Sequence, residues 1–445
     1  MMRRALPILL LASAVLALTP RTADLFPAAR FPLQIDGSGR YLEDAEGKPF
    51  LLHGDTAWSL IAELTREETE LYLQDRKARG FNALIVSLIE RKFASNAPAN
   101  AYGEQPFAAH GRFSQPRDAY FDHAEWVLRR AEEFGFIVLL APAYLGFGGG
   151  EEGWYREVEA AGPTELEAYG RYLARRFGRL KNIIWMLGGD YDPPDKNLVR
   201  ALVSGLAAGG AGGLRTIHAA PDTIVAAFWA EEPWIDIETV YTYSDVHAQV
   251  FERYAAKGGR PILMLETTYE GEREADARAV RAAAYGAMLA GAAGHVYGNN
   301  PMWHFSGPGI YPSEIGWKEA LGSPGAESMT HLRRFFEMFP WWQLEPLPVG
   351  TLLEAPGTTG KLYVASTADH RLIIAYVSGL AQVILHPPEA GGHRLNIRWF
   401  DPALGQWTQK RNLENGRPMV ILQPPSPQNG GGGEDWLLVM EAEEG

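Results

Sequence analysis

The chain has 445 residues, of which 46% are hydrophobic and 21% are charged, so a single small domain and bulk disorder are both excluded. It contains no cysteine, which excludes disulfides, thiolate metal sites, thiol nucleophiles and a lipid anchor on cysteine. Its net charge of −13 excludes a general nucleic-acid binder, because phosphate contacts need a basic surface.

The N-terminus has the pattern of a secretory signal peptide. A basic start, Met1–Arg4, is followed by an apolar run from Ala5 to Leu18 and by small residues up to Ala23. This run is short for a transmembrane helix. We therefore predict a signal peptide over residues 1–23, a secreted or periplasmic bacterial protein, and no stable membrane insertion after cleavage. An uncleaved membrane anchor is the alternative.

Residues 24–345 alternate short apolar runs with amphipathic stretches. Thr65 and Glu68 have the spacing of a capping box and predict the start of the first long helix, which ends at Gly80. Further helices are predicted over 120–133, 163–180, 197–208, 246–256, 277–290 and 328–339. Strands are predicted over 49–52 (continuing to Asp55), 82–88, 136–142, 182–187, 214–218, 234–243, 261–266 and 294–297. Eight such units favour a (β/α)8 TIM barrel, and no Gly-rich dinucleotide fingerprint supports an open doubly wound sheet.

The pattern changes at about Leu347, where short alternating runs are separated by turns. Such a pattern is typical of a compact antiparallel β domain. The predicted strands are 361–365, 371–377, 382–385, 394–400 and 435–440. We therefore predict a small antiparallel β-sandwich over residues 346–445, acting as an accessory domain.

Two carboxylates stand at the ends of predicted barrel strands, where the active site of such a barrel lies. Asp190 follows the fourth strand and two glycines, Gly188 and Gly189, which we interpret as letting a ligand approach the backbone. Glu266 ends the seventh strand. Glycoside hydrolysis needs two carboxyl groups that flank one bond, and many barrel glycosidases place them after strands four and seven. We predict Asp190 as the acid/base and Glu266 as the nucleophile.

The other strand ends carry aromatic, amide and acidic residues with few cations, which suits a neutral polyhydroxylated substrate. Tyrosine and tryptophan rings there would stack on sugar rings. For Asp55 a structural role remains an equal alternative. The predicted substrate-binding residues are Asp55, Trp58, Glu90, Tyr144, Asp192, His218, Tyr241, Tyr243, Tyr269, Asn299, Asn300 and Trp303.

Several of these segments resemble one known family. HGDTAW at 53–58, NIIWMLGGD at 182–190 and YGNNPMW at 297–303 resemble the apiosidase-like barrel proteins of glycoside hydrolase family 140. RWFDP at 398–402 and EDWLLV at 434–439 resemble the small β domain, labelled as collagen-binding, that follows this barrel.

The resemblance implies endo-acting hydrolysis of a glycosidic bond next to apiose in pectic polysaccharide. It also implies an Asp acid/base and a Glu nucleophile, which match Asp190 and Glu266. The sequence departs from the family at Tyr241–Tyr243, where many relatives carry a Ser-Gly-His type segment, and at Thr267–Thr268, where a proline is common. Glycosidase activity is therefore better supported than apiose specificity.

We expect an exported O-glycosyl hydrolase that cleaves a plant or bacterial polysaccharide with retention of configuration, without a metal or an organic cofactor. Two alternatives remain at this point. One is a non-catalytic glycan-binding barrel, and the other is a metal-dependent hydrolase that uses His53, Asp55 and His218. The first strand end offers one histidine where a metal site of that kind would want a His-x-His pair.

Overall fold

The structure is a computed structural model that describes residues 26, 29–357, 360–387, 395–413 and 419–443. The predicted signal peptide, residues 1–23, lies outside these described residues. Among the helices that are described, none has the length and apolar character needed to cross a membrane.

A small antiparallel sheet precedes the barrel. Its strands are β1 (Gln34–Ile35), β2 (Leu42–Glu43) and β3 (Pro49–Phe50). The sequence assigned Pro49 and Phe50 to the first barrel strand, and this is wrong, because they pair with Glu43 and Leu42 of β2. The barrel strand begins at Leu52.

The predicted (β/α)8 barrel is confirmed. Its parallel strands are β4 (Leu52–Thr56), β5 (Ala83–Ser87), β6 (Ile137–Ala141), β7 (Ile183–Gly188), β8 (Arg215–His218), β9 (Glu238–Tyr241), β10 (Ile262–Glu266) and β11 (Gly294–Tyr297). Their order in the sheet is β8-β7-β6-β5-β4-β11-β10-β9. At the seam between β8 and β9, the hydroxyl of Thr216 donates to the carbonyl of Ile237 at 2.9 Å, and the hydroxyl of Thr239 donates to that of Ile217 at 2.6 Å. Side chains thus close the barrel where the strand ladder is interrupted.

The helices surround the barrel. They are α1 (Leu60–Glu63), α2 (Arg66–Ala78), α3 (Asp118–Phe134), α4 (Tyr155–Phe177), α5 (Asn197–Ala208), α6 (Val225–Phe228), α7 (Val246–Ala255), α8 (Ala277–Leu289), α9 (Trp317–Ala320) and α10 (Pro324–Glu337). The capping box at the start of α2 is present, with Thr65 and Glu68 each accepting the other's main-chain N–H at 3.3 Å. Helix α4 begins before the predicted residue 163, because Gly162, at a φ of +68°, joins an additional helical segment to it.

The C-terminal part forms two antiparallel sheets on a shared core, as predicted. Its strands are β12 (Glu345–Leu347), β13 (Leu353–Glu354), β14 (Lys361–Ser366), β15 (Leu372–Ser378), β16 (Val383–Leu385), β17 (Leu395–Asp401), β18 (Gln406–Trp407), β19 (Arg411–Leu413), β20 (Val420–Leu422) and β21 (Asp435–Ala442). The larger sheet runs β12-β14-β15-β21-β17-β18, with β19 paired to β17, and the smaller one runs β13-β16-β20.

The larger sheet also packs against the outside of the barrel. Successive side chains of a strand point to opposite faces: in β15, Ile373 lies in the sandwich core, whereas Ile374 lies in the core that α8 and α10 share. Arg281 of α8 donates through Nε and Nη2 to the carboxylate of Asp435 of β21 at 2.8 and 2.9 Å. This sheet is therefore covered on both faces.

Candidate active site

A cavity of about 360 Å³ opens among the loops that follow the barrel strands. Because the carboxyl ends of all eight strands meet at one end of such a barrel, residues far apart in the sequence converge there. Nine of the predicted site residues line the cavity, namely Trp58, Glu90, Tyr144, Asp190, Tyr241, Tyr243, Glu266, Tyr269 and Trp303.

The backbone that carries Asp190 has an unusual conformation. Gly188, Gly189 and Asp190 have φ angles of +82°, +126° and +51°, in a region that few non-glycine residues adopt. A Cβ on Gly189 would lie 2.5 Å from Cδ2 of Tyr144, and one on Gly188 would lie 2.5 Å from the carbonyl oxygen of His218. Our interpretation that the glycines admit a ligand is therefore wrong, since Tyr144 and His218 of the same chain occupy the space beside them.

Glu266 is placed by an irregularity in its strand. The pairing of β10 with β9 shifts its register between Met264 and Glu266, and such bulges re-aim side chains at the rims of barrels. The Glu266 carboxylate is buried, and its Oε2 lies 3.0 Å from Nε2 of His218.

The fully buried ring of His218 lies between the two carboxylates. Its Nδ1 accepts the main-chain N–H of Asp190 at 3.2 Å and lies 3.2 Å from Oδ1 of the same residue. In the neutral ring, Nδ1 is the acceptor and Nε2 carries the proton that it donates to Glu266; in the protonated ring, Nδ1–H faces Oδ1 of Asp190 instead. His218 was predicted to bind substrate. The structure places it behind the cavity wall instead, where it orients both carboxylates.

The surroundings shift the pKa values of Asp190 and His218. Burial and, second, the charge of Glu266 raise the pKa of Asp190 to about 7, against the opposing effects of His218 and two tyrosine hydroxyls. Burial opposes a charge on His218, but the carboxylates of Asp190 and Glu266 outweigh it and raise the pKa of the imidazole. Asp190 can therefore hold a proton near neutral pH, as a general acid must.

Two tyrosines orient the Asp190 carboxyl group. The hydroxyl of Tyr144 donates to Oδ2 of Asp190 at 3.1 Å, and that of Tyr241 donates to the same oxygen at 3.4 Å. The hydroxyl of Tyr243 lies 3.0 Å from that of Tyr241 and continues the chain toward the cavity mouth. Tyr243 is half-exposed and lines the cavity.

Glu90 is a further fixed carboxylate on the cavity wall, besides Asp190 and Glu266. Its Oε1 accepts the main-chain N–H groups of Arg91, Lys92 and Phe93 at 2.8, 3.2 and 3.1 Å. Its Oε2 lies 3.4 Å from the hydroxyl of Ser59, which donates to the carbonyl of Phe93 at 2.6 Å. The backbone thus holds one oxygen, and the other keeps the capacity to accept a further hydrogen bond.

Aromatic side chains form much of the remaining wall. The indole of Trp58 donates to the hydroxyl of Tyr269 at 3.2 Å, and its ring centroid lies 5.5 Å from that of Tyr144. The indole of Trp303 donates to Oε1 of Glu272 at 3.0 Å. The rings are therefore held in place before any ligand arrives.

The structure adds further lining residues, and except for Ser87, which ends β5, they lie within the loops that follow the strands. Burial raises the pKa of Glu272 to about 7; the indole of Trp303 opposes this rise and the charge of Glu266 adds to it. The added residues are Ser87, Lys92, Phe93, Phe147, Glu152, Thr268, Glu272, Arg273, Ile310 and Tyr311. Glu272 follows the nucleophile candidate by six positions, and that proximity in sequence is the one signal that could have found it.

Asp55 does not line the cavity. Its carboxylate is fully buried, lies 2.8 Å from Nε of Arg76, and accepts from the hydroxyl of Tyr72 at 2.8 Å. Burial raises its pKa to about 6, although Arg76 opposes the rise. The geometry favours the structural alternative for this residue.

Three other predicted residues also stand away from the cavity wall. Asp192 accepts from the hydroxyl of Thr223 at 2.6 Å and from the indole of Trp229 at 3.1 Å, so it braces the loop after β7. Asn299 and Asn300 are buried. Asn299 donates to Glu270 at 3.2 Å, and Asn300 donates to the carbonyl of Pro312 at 3.2 Å. These amides organise the loops after β11, so direct contact with a substrate is not supported.

The structure does not assemble the metal site considered for His53, Asp55 and His218. The buried His53 lies with its Nδ1 3.0 Å from Nε2 of His295, and burial, followed by His295, lowers its pKa well below the usual range. Within the described residues, the one cluster with donor atoms close enough for a metal is Asp190, His218 and Glu266. A cation there would have to replace the hydrogen bond from His218 to Glu266.

Comparison with known proteins gives two family matches. Residues 36–343 match the model of the "Apiosidase-like, catalytic domain". Residues 348–441 match that of the "Putative collagen-binding domain of a collagenase". No curated protein matches the chain.

Solved structures share the fold over almost the whole chain. One, described as a glycoside hydrolase, has a TM-score of 0.78 at 24% identity and covers 93% of this chain and 97% of its own. Another, described as a glycoside hydrolase family 5 protein from Bacteroides vulgatus, has a TM-score of 0.77 at 24% identity, with 92% and 93% covered. At this identity the likeness establishes the two-domain fold.

Proposed function

The chain belongs to the apiosidase-like family of glycosyl hydrolases, and from this premise we propose that it cleaves a carbohydrate by a retaining mechanism with Asp190 as acid/base and Glu266 as nucleophile. The family resemblance read from the sequence is confirmed by the match over residues 36–343. The proposal adds the roles of the two residues, the stereochemistry and the substrate.

The separation of the two carboxylates carries this proposal. One carboxylate oxygen of Asp190 lies within 4.8 Å of one carboxylate oxygen of Glu266, and a ring nitrogen of His218 lies within the same distance of both. Retaining enzymes place their carboxyl groups about 5–5.5 Å apart, whereas inverting enzymes need about 6.5–9.5 Å to admit a water molecule between carboxylate and sugar. The short separation supports direct attack by Glu266.

The reaction has two steps. A carboxylate oxygen of Glu266 attacks the anomeric carbon, the bond from that carbon to the leaving oxygen breaks, and Asp190 gives its proton to the leaving oxygen. In the second step Asp190 removes a proton from water, and the water oxygen attacks the same carbon. The bond from this carbon to Glu266 breaks as the water oxygen attacks, which frees the Glu266 carboxylate and releases the sugar with its original configuration.

The surroundings of each carboxyl group fit its role. Burial and the neighbouring charge raise the pKa of Asp190 to about 7, so a proton is available for the leaving oxygen. The hydrogen bond from Nε2 of His218 occupies Oε2 of Glu266 at 3.0 Å, which leaves Oε1 as the attacking atom. Tyr144 and Tyr241 keep the carboxyl group of Asp190 in one orientation.

Apiose-containing pectin is the first substrate to test, because the family carries that activity in its name. The lining residues allow other polysaccharides as well, since carboxylates, hydroxyls and aromatic rings outnumber cations on the wall. We place the reaction outside the cytoplasm, in the periplasm or the medium, on the basis of the signal-peptide pattern in residues 1–23.

The test is a screen of the purified protein against plant and bacterial glycans, with apiose-containing pectin among them. We expect release of a reducing sugar from at least one glycan, and none from the Glu266→Gln variant. Proton NMR during the first minutes identifies the anomer that forms first, and an inverted product would contradict the retaining mechanism. Binding without release by the wild type would instead support the non-catalytic glycan-binding barrel.

A further inference from the structure

The two most exposed large hydrophobic side chains in the described part of the chain border the same cavity. Ile310 is 64% exposed and Phe147 is 61% exposed, and both line the cavity that holds Asp190 and Glu266. One exposed apolar side chain on a surface needs no explanation. Two at the mouth of one cavity indicate a ligand that has apolar faces and continues beyond the cavity.

Phe147 lies on the same side of the cavity as Asp190. It belongs to the loop after β6, which also carries Tyr144, and the hydroxyl of Tyr144 donates to Oδ2 of Asp190 at 3.1 Å. The next residue, Gly148, donates its main-chain N–H to the carbonyl of Asp190 at 3.2 Å. These two hydrogen bonds flank Phe147 in sequence and fix it beside the predicted acid.

The loop is built to hold Phe147 in an exposed position. Its base is closed by a hydrogen bond of 2.7 Å from the N–H of Trp154 to the carbonyl of Tyr144. Gly146 has a φ of +93°, and a Cβ on it would lie 2.7 Å from the nitrogen of Gly153. A side chain at position 146 is thus excluded from the inner side of the loop, while the side chain of Phe147 stands outside.

The loop that carries Phe147 also carries a carboxylate, Glu152. Glu152 follows on the same loop and lines the cavity. Burial and then the charges of Asp190 and Glu266 raise the pKa of Tyr144, whose hydroxyl donates to Asp190, and the charge of Glu152 adds to this rise. An aromatic face beside a hydrogen-bond acceptor matches a sugar ring, which has an apolar face and a rim of hydroxyl groups.

We propose that Phe147 and Glu152 form the subsite for the leaving group, where a leaving sugar stacks on the Phe147 ring and its hydroxyls donate to Glu152. This inference rests on the proposed function. A general acid protonates the leaving oxygen, so the leaving group must lie on the side of Asp190. The subsite gives the enzyme its preference for glycosides whose leaving group is itself a sugar.

The test compares two leaving groups on one donor sugar. The substrates are the glycan that the screen identifies and the glycosyl fluoride of its donor sugar. The leaving group of the fluoride is a single ion, so it has no ring that could stack on Phe147. We expect Phe147→Ala to lower kcat/KM for the glycan about tenfold and to leave kcat/KM for the fluoride within about twofold. We expect Phe147→Trp to keep kcat/KM for the glycan. Glu152→Gln should lower kcat/KM for the glycan and leave that for the fluoride unchanged.

Two variants provide matched controls. Phe228→Ala removes another exposed phenylalanine, 41% exposed on α6 and outside the cavity lining, and should change neither rate. Ile310→Ala removes the other apolar residue at the mouth and should not discriminate between the two leaving groups. An equal loss on both substrates in Phe147→Ala, or no loss on either, would overturn the proposal. Failure of the wild type to cleave any glycan would refute the proposed function itself.

Discussion

The imidazole of His218 donates through Nε2 to Oε2 of Glu266 at 3.0 Å. Its other nitrogen accepts the main-chain N–H of Asp190 at 3.2 Å. One buried ring thus contacts the carboxylate of Glu266 and the backbone of Asp190, and when the ring is protonated its charge favours the ionised form of Asp190.

We expect His218→Gln to lower kcat about 100-fold, because misplacement of reacting groups by about 1 Å costs that much. The basic limb of the pH–rate profile should also move to higher pH, since the pKa of Asp190 rises when the charge of His218 is lost. His110→Gln, at an exposed histidine paired with Glu157, is the control. A uniform loss without a shifted limb would reduce His218 to a structural role.

The two carboxylates should respond differently to an external nucleophile. We expect Asp190→Ala to lose about 10²- to 10⁴-fold in rate and to recover with azide, giving a glycosyl azide of retained configuration. Glu266→Ala should lose on the order of 10⁴-fold and give the inverted azide, because azide then replaces the nucleophile. Glu272→Gln, at a carboxylate on the same wall, should give no azide product. Identical azide products from the first two variants would contradict the assignment.

Activity should fall as the pH rises through about 7, because Asp190 then loses the proton that it donates. The measurement is kcat/KM against pH. Glu272 also has a pKa raised to about 7, so Glu272→Gln decides which group is responsible. Retention of the basic limb in that variant assigns it to Asp190, whereas its disappearance assigns it to Glu272.

The same shift has a consequence for stability. The pKa of Asp190 is raised from 3.8 to about 7 on folding, so the folded state keeps a proton that the unfolded state has released between these values. Stability therefore falls as the pH rises from about 4 to about 7. We expect Asp190→Asn to be more stable than the wild type at pH 8 by about 1 kcal/mol or more, and to lose most of this advantage at pH 4. Denaturant unfolding at both pH values measures the difference, and an equal difference at both would contradict the cause.

The ion pair between barrel and sandwich gives a further expectation. Arg281 and Asp435 are both buried, so Arg281→Met leaves an unpaired carboxylate and should destabilise the protein by about 3–5 kcal/mol. The double variant Arg281→Met/Asp435→Leu should recover much of this loss, because neither charge remains buried. Arg278→Met, at the exposed neighbouring pair with Glu434, should cost less than about 1 kcal/mol. Thermal unfolding of the three variants tests the order.

Local patterns were enough to predict the barrel and the positions of Asp190 and Glu266. Strand runs, the Thr65–Glu68 box and the rule that strand ends carry the site all depend on short stretches of sequence. Asp55 also stands near the end of a barrel strand, and the sequence alone favours a substrate contact and a structural role equally. Its true partner, Arg76, belongs to the next long helix, and no local pattern identifies such a pair.

The loops limited the prediction of the rest. Phe147 and Glu272 reach the cavity because hydrogen bonds to Asp190 and from Trp303 determine the course of their loops. The role of His218 depends on a contact with a residue 48 positions away. Such relationships arise from tertiary packing, so they become visible once the barrel is closed.

The strand β15 has apolar neighbours on both faces, with the sandwich core on one side and helices α8 and α10 on the other. The barrel and the sandwich therefore bury apolar side chains against each other, and separating them would expose these side chains to water. In evolutionary terms the small domain is not an exchangeable module: barrel and sandwich are expected to be inherited, lost or recombined together.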